Sequence, residues 1–132
     1  MKLLDTTIVI GILRGDEEVK GLMKKLGDEE LATTVLTYFE LFSRIYHRRL
    51  VGEDRIARSL LKLMNIFELD EASSDKAAEI MGRLLGAGRA VNVIDVLISG
   101  IAMAHGVEEI ITKDADFKTI EEVYGYPKVS LL

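Results

Sequence analysis

The chain has no cysteine and only two histidines, His47 and His105, among its 132 residues. Without cysteine there is no disulfide framework, no thiolate ligand and no cysteine nucleophile. Two imidazoles are too few for a zinc site built on histidine. Proline is nearly missing as well: Pro127 stands alone, no low-complexity tract or internal repeat interrupts the chain, and nothing reads as a linker. Residues 1–132 are therefore expected to form one domain, a length that buries a substantial core without covalent staples. Long apolar runs are absent too. The richest, Val91–Met103, is broken by Asn92 and Asp95 and falls short of a membrane span. Met1-Lys2-Leu3-Leu4-Asp5 meets an acid at once and offers no signal-peptide core, so a soluble cytoplasmic protein with no membrane contact is expected. Positive charge is in deficit: 17 Lys and Arg stand against 22 Asp and Glu, a net charge of −5. That excludes gripping nucleic acid by total charge and leaves the task to a local basic face. What remains is chemistry run on carboxylates, hydroxyls and cations, of which the carboxylates are the most numerous.

Periodicity supplies the elements. Lys2–Leu4 reads as a short strand ending at Asp5, and Thr7–Leu13 has helical apolar spacing up to Gly15. Asp16–Leu26 places Val19, Leu22, Met23 and Leu26 on one helical face, and a second strand spans roughly Glu30–Thr33. Leu36–Tyr46 and Glu53–Met64 form a predicted helical hairpin turning at Val51-Gly52, the second helix with Ile56, Leu60, Leu63 and Met64 inward. Ile66–Leu69 is a candidate strand, Ser74–Leu85 a helix with Ala77, Ile80, Met81 and Leu84 inward, and Asn92–His105 a largely buried helix. Glu109–Thr112 is the next strand, Lys113–Phe117 a loop, a short helical piece runs to Tyr124, and Lys128–Leu131 closes the series. Strands alternating with helices predict an α/β fold with a mainly parallel central sheet, right-handed crossovers and helices on both faces.

In such sheets the functional crevice lies beyond the carboxyl ends of the strands. Asp5 follows the first strand, Asp114 and Asp116 follow the fourth, Glu40 lies a turn into the helix after the second, and Asp95 opens the buried helix. All five are expected to meet at one edge of the sheet. Each also has an architectural explanation. Asp5 suits a cap of the first helix, Thr37 with Glu40 and Asn92 with Asp95 resemble capping boxes, and Asp116 suits a cap of the last helical segment. Asp95 separates the two accounts, because a carboxylate in so apolar a helix is buried and needs a partner or a metal. Clustered anions repel by about 4 kcal/mol at ~4 Å and an effective dielectric of roughly 20. A divalent cation removes that penalty.

These residues carry a resemblance. Leu4-Asp5-Thr6-Thr7-Ile8-Val9-Ile10, Thr33-Thr34-Val35-Leu36-Thr37-Tyr38-Phe39-Glu40-Leu41, Gly88-Arg89-Ala90-Val91-Asn92-Val93-Ile94-Asp95-Val96-Leu97-Ile98 and Thr112-Lys113-Asp114-Ala115-Asp116-Phe117 follow one another along nearly the whole chain. In that order they resemble the motifs of the PIN-domain family and, within it, of the VapC toxins of toxin–antitoxin pairs. Thr7 stands where Asn or Ser is common in the family, and Asp114 where many relatives have Asn. The resemblance implies a three-layer α/β/α sandwich and Mg²⁺- or Mn²⁺-dependent cleavage of RNA. It also implies an antitoxin that occupies the groove near the site and, frequently, a homodimer. By motif position Asp5, Glu40 and Asp95 are the core acids, the fourth role falls to Asp114, Asp116 or both, and Thr6 and Thr112 are neighbouring hydroxyls that orient a carboxylate or a water. On this reading Asp5, Asp95 and Asp114 or Asp116 hold the principal metal, and Glu40 helps to hold a second or orients the attacking water.

Arg44 and Arg48, and Arg55, Arg58 and Lys62, fall at helical spacings that group them on faces. They form either ordinary solvated surface or a strip that steers phosphates, and Arg89 either reaches a phosphate or caps a helix end. Tyr38, Phe39 and Phe42 are expected in the core or an interface. Two phosphotransfer alternatives fail on their own motifs: a haloacid-dehalogenase-type site wants Asp at position 7, which is threonine, and a receiver domain wants an acidic pair near the first strand. A protein-binding module that keeps the fold without turnover, and an RNA-processing nuclease without an antitoxin, are the remaining alternatives.

Overall fold

The computed structural model describes residues 1–132. Five short strands, β1 (Lys2–Leu4), β2 (Leu31–Thr34), β3 (Asn65–Phe67), β4 (Glu109–Thr112) and β5 (Lys128–Leu131), form one sheet in the order β3-β2-β1-β4-β5. Every neighbouring pair is parallel, so each crossover must carry helix. Those helices are α1 (Thr6–Arg14), α2 (Glu17–Leu26), α3 (Val35–Arg48), α4 (Val51–Leu61), α5 (Glu71–Gly86), α6 (Val93–Ala104) and α7 (Ala115–Tyr124).

The two-residue period of a strand sorts the core into layers. Leu4 and Ile111 point toward α1–α4, where they pack with Ile8, Val19, Leu41, Ile45, Ala57 and Leu61. Their neighbours Leu3 and Ile110 point the other way and meet Ile98, Ala102 and Phe117 of α6 and α7. Helix α5 lies outside α6 and α7, burying Ala77, Ile80 and Leu84 against Val96 and Ile120. The result is the three-layer α/β/α sandwich with a parallel sheet. No helix is long and apolar enough to cross a membrane.

Several boundaries differ from those predicted. The hairpin turns at Arg49 and Leu50, and Val51-Gly52 already lies in the first turn of α4. That helix buries Ala57 and Leu61, leaving Ile56 at 58% and Leu63 at 81% exposure. The Lys113–Phe117 loop is shorter than expected, because α7 starts at Ala115.

Capping explains where the site-bearing helices begin. Asp5 caps α1 by accepting from Ile8 N, and Thr34 caps α3 by accepting from Thr37 N, so the predicted Thr37–Glu40 box does not form. Asn92 caps α6 through Ile94 N without a reciprocal bond from Asp95. Asp114, and not Asp116, caps α7.

Candidate metal centre

The strand order reverses direction between β1 and β4, the switch point at which an open parallel sheet leaves a crevice beyond its strand ends. Asp5 leaves β1 there, and Thr112, Asp114 and Asp116 leave β4. Asp5 is 3% exposed and accepts three hydrogen bonds. Its Oδ1 accepts from the Thr7 hydroxyl at 2.6 Å and from Ile8 N at 3.3 Å, and its Oδ2 accepts from the Thr112 hydroxyl at 2.7 Å. Burial pushes the Asp5 carboxyl above its ordinary range, and these three donors oppose that shift.

The loop after β4 is anchored to the same acid. Asp114 N donates to Thr112 Oγ1 at 2.8 Å, and Lys113 N donates to Thr7 Oγ1 at 2.9 Å. The Lys113 ammonium turns away from the acids to Asp16 at 2.8 Å. Asp114 Oδ1 accepts from Asp116 N, and Asp116 Oδ2 accepts from Asn92 N, both at 2.9 Å. The last bond joins the two loops and brings Asp95, in the first turn of α6, beside the β4 acids.

Carboxylate oxygens of Asp95, Asp114 and Asp116 all lie within 4.8 Å of one another. Asp95 is 7% exposed, and its buried Oδ2 has no hydrogen-bond donor. Burial and then the Asp114, Asp5 and Asp116 carboxylates push its carboxyl up to about 8. Four acids thus crowd one crevice, while the nearby cations Lys113 and Arg89 are held by Asp16 and Glu122. An all-oxygen donor set with one buried, unpartnered oxygen fits a hard divalent cation, and fits neither a thiolate metal nor an organic cofactor.

Glu40 joins at one remove. The Thr6 hydroxyl donates to Glu40 Oε1 at 2.6 Å and lies 3.1 Å from the Thr37 hydroxyl. The arginines are dispersed. Arg44 is largely buried against Glu53 of α4, Arg48 is exposed one turn further along α3, and Arg89 pairs with Glu122 at 3.4 Å on the opposite helical layer. Thr7 and Lys113 take part in the site with no role expected from sequence, and Thr37, expected in a capping box with Glu40, meets the Thr6 hydroxyl instead. Their bonds join α1, α3 and the β4–α7 loop, and no local periodicity encodes such partners.

The parallel α/β/α sandwich with acids converging at its switch point places the chain among α/β proteins that gather carboxylates beyond the strand ends. The PIN domain family model matches residues 2–123, and the chain belongs to that family. No curated protein matches it in sequence. Among solved structures it is similar to VapBC2 from Rickettsia felis bound to a DNA fragment from its promoter. There the identity is 16%, the coverage 99% of this chain and 98% of that chain, and the TM-score 0.84. It is similar to FitAcB from Neisseria gonorrhoeae at 24% identity, 98% and 96% coverage and a TM-score of 0.81. It is also similar to VapC20 from Mycobacterium tuberculosis, described as a Sarcin-Ricin loop cleaving toxin, at 14% identity, 90% and 94% coverage and a TM-score of 0.69. At these identities the likeness establishes the fold.

Proposed function

We propose that residues 1–132 form one nuclease domain that hydrolyses RNA phosphodiester bonds with Mg²⁺ or Mn²⁺, acting as the toxin of a VapBC-type pair. The observation that carries this reading is the buried Asp95 oxygen without a donor, set among carboxylates of Asp114 and Asp116 within 4.8 Å. Such an arrangement is costly unless a proton or a cation neutralises it, and a divalent cation serves all the carboxylates at once. The cation, when bound, supplies Lewis acidity toward a phosphate oxygen and lowers the pKa of a water. Asp5, Asp95, Asp114 and Asp116 would hold it, with the Thr7 and Thr112 hydroxyls keeping Asp5 in place. Glu40, bonded at one oxygen by Thr6, keeps the other free to orient the attacking water.

The toxin assignment draws on the motif order and on the solved relatives, several of which are toxin–antitoxin complexes. An antitoxin partner and a homodimer follow from the same resemblance. A panel of structured and unstructured RNAs incubated with and without Mg²⁺ or Mn²⁺ tests the activity. Cation-dependent cleavage that drops at least ~100-fold in Asp5→Ala and Asp95→Asn, with far-UV circular dichroism unchanged, is the expected result. Equal cleavage in chelator, or full activity in both variants, rejects the assignment.

A further inference from the structure

The α3–α4 hairpin differs in charge from the rest of the molecule. Residues 35–62 carry six of the 17 Lys and Arg but only three of the 22 Asp and Glu, the reverse of the balance elsewhere in the chain. Two of those acids are engaged within the hairpin, Glu53 by Arg44 and Asp54 by Arg58. Glu40 accepts from Thr6 instead, and Arg48, Arg49, Arg55 and Lys62 are exposed with no ion pair to a hairpin acid. The hairpin is therefore a local cationic face on an acidic molecule, complementary to a polyanion.

Arg58 is unusual within it. Its Nε donates to Asp54 at 2.7 Å, and its two terminal nitrogens donate to the Tyr38 hydroxyl at 3.0 Å and the Tyr46 hydroxyl at 2.9 Å. Its guanidinium carbon sits 4.4 Å from the centroid of the Phe42 ring, which is buried. The edges of the plane are thus occupied, one face rests on Phe42, and the side chain nonetheless remains 43% exposed. The ion pair, the two tyrosine hydrogen bonds and the ring contact together offset the rotamer entropy lost in fixing the arginine. As a preorganised flat surface it is effective, since the ordering is complete before anything binds. A cleft of about 210 Å³ opens beside it, walled by Tyr38, Leu61 and Ile66 with Lys62 at its edge. Tyr38 follows Thr37, whose hydroxyl meets that of Thr6 next to Asp5. Of the acids, Glu40 shares α3 with Tyr38, Phe42 and Tyr46, and Arg58 reaches these rings from α4.

We infer that the outward face of the Arg58 guanidinium, backed by Phe42 and framed by Tyr38 and Tyr46, is a stacking site for an unpaired base of single-stranded RNA. Guanidinium planes and aromatic rings stack on any base, while Lys62, Arg55 and Arg48 follow the phosphates. This inference rests on the ribonuclease reading and assigns to its substrate a base contact on the α3–α4 hairpin, outside the acidic crevice.

Fluorescence anisotropy tests it, using a short labelled single-stranded oligoribonucleotide, its abasic counterpart, and Asp95→Asn protein in chelator so that nothing is cleaved. Arg58→Lys keeps the charge and loses the plane, and Tyr46→Phe keeps the ring while freeing one guanidinium edge. Base-bearing RNA is expected to bind at least about fivefold tighter than abasic RNA. Arg58→Lys should remove most of that difference, Tyr46→Phe should reduce it, and thermal melts should show both variants folded. Equal affinity for the two RNAs, or an Arg58→Lys variant that keeps the full difference, overturns the stacking site while leaving the nuclease reading in place. No binding of any RNA, together with no cleavage, overturns both. A change of oligomeric state in the Arg58 variant, with RNA affinity unaltered, identifies the face as a contact between copies and overturns the inference.

Discussion

Asp95 is under two opposing demands. The apolar helix that carries it needs burial, and three neighbouring acids raise the energy of its charged form. With its carboxyl at about 8 in the folded chain and near ~3.9 when unfolded, the folded state holds a proton that the unfolded state has lost. This stabilisation is present in full below the unfolded value and is lost as the pH rises toward 8. Metal-free protein should therefore lose melting temperature between pH 5 and 8 in differential scanning calorimetry. Asp95→Asn, which never ionises, should flatten that slope and melt about 3 °C or more above the wild type at the alkaline end. A wild-type slope that survives in the variant would place its origin elsewhere. The acids were legible in the sequence because each follows a strand or opens a helix, where local pattern has meaning. Thr7 and Thr37 were not, since their hydroxyls act through Asp5 and Thr6, and only the folded chain brings those pairs together.

Among the elements, α5 and α6 make the tightest meeting. A methyl group built on Gly100 would lie 2.6 Å from the Ser73 carbonyl oxygen and 2.7 Å from Ala77 N. Backbone cannot yield there as a flexible side chain would. Gly100→Ala should cost about 1–3 kcal/mol, read as a lower urea midpoint with unchanged slope. Because Gly100 shares α6 with Asp95, the same variant should bind Mn²⁺ more weakly in calorimetry. The element types were legible from periodicity, and the faces less so. In α4 and the turn after it the sets Ile56–Leu60–Leu63–Met64 and Ala57–Leu60–Leu61–Met64 both satisfy helical spacing, and they share Leu60 and Met64. The larger side chains pointed to the first, but the second is inward. Ala57 lets α4 approach the core closely, and pattern alone does not weigh a small side chain by what its smallness permits. The Thr34 cap was missed for a related reason: β2 runs directly into α3 with no intervening loop, so the helix starts before the more familiar Thr–Glu pair.

For the molecule as a whole, the cost of gathering acids is set against folding. A ligand that binds only the folded state stabilises it by about 2.7 kcal/mol at a hundred times its dissociation constant. Saturating Mn²⁺ should raise the wild-type melting temperature by several degrees at pH 8, and Asp5→Ala should lose most of that gain. Equal shifts in the two proteins would show the cation acting elsewhere. The parallel sheet and its two helical layers follow from the alternation of strands and helices. The strand order does not, because it depends on which edges find each other in three dimensions.

That order also sets a clock. The Asp5 carboxylate is completed by a hydroxyl 107 residues further along, on the strand that slots in beside β1. Until the final quarter of the polypeptide has docked, the first acid has only its local donors, and the loop that bears Asp114 and Asp116 has nothing to lean on. A ribosome-bound chain that already displays Asp5, Glu40 and Asp95 thus lacks the gathered carboxylates, which come together only with the last stage of folding.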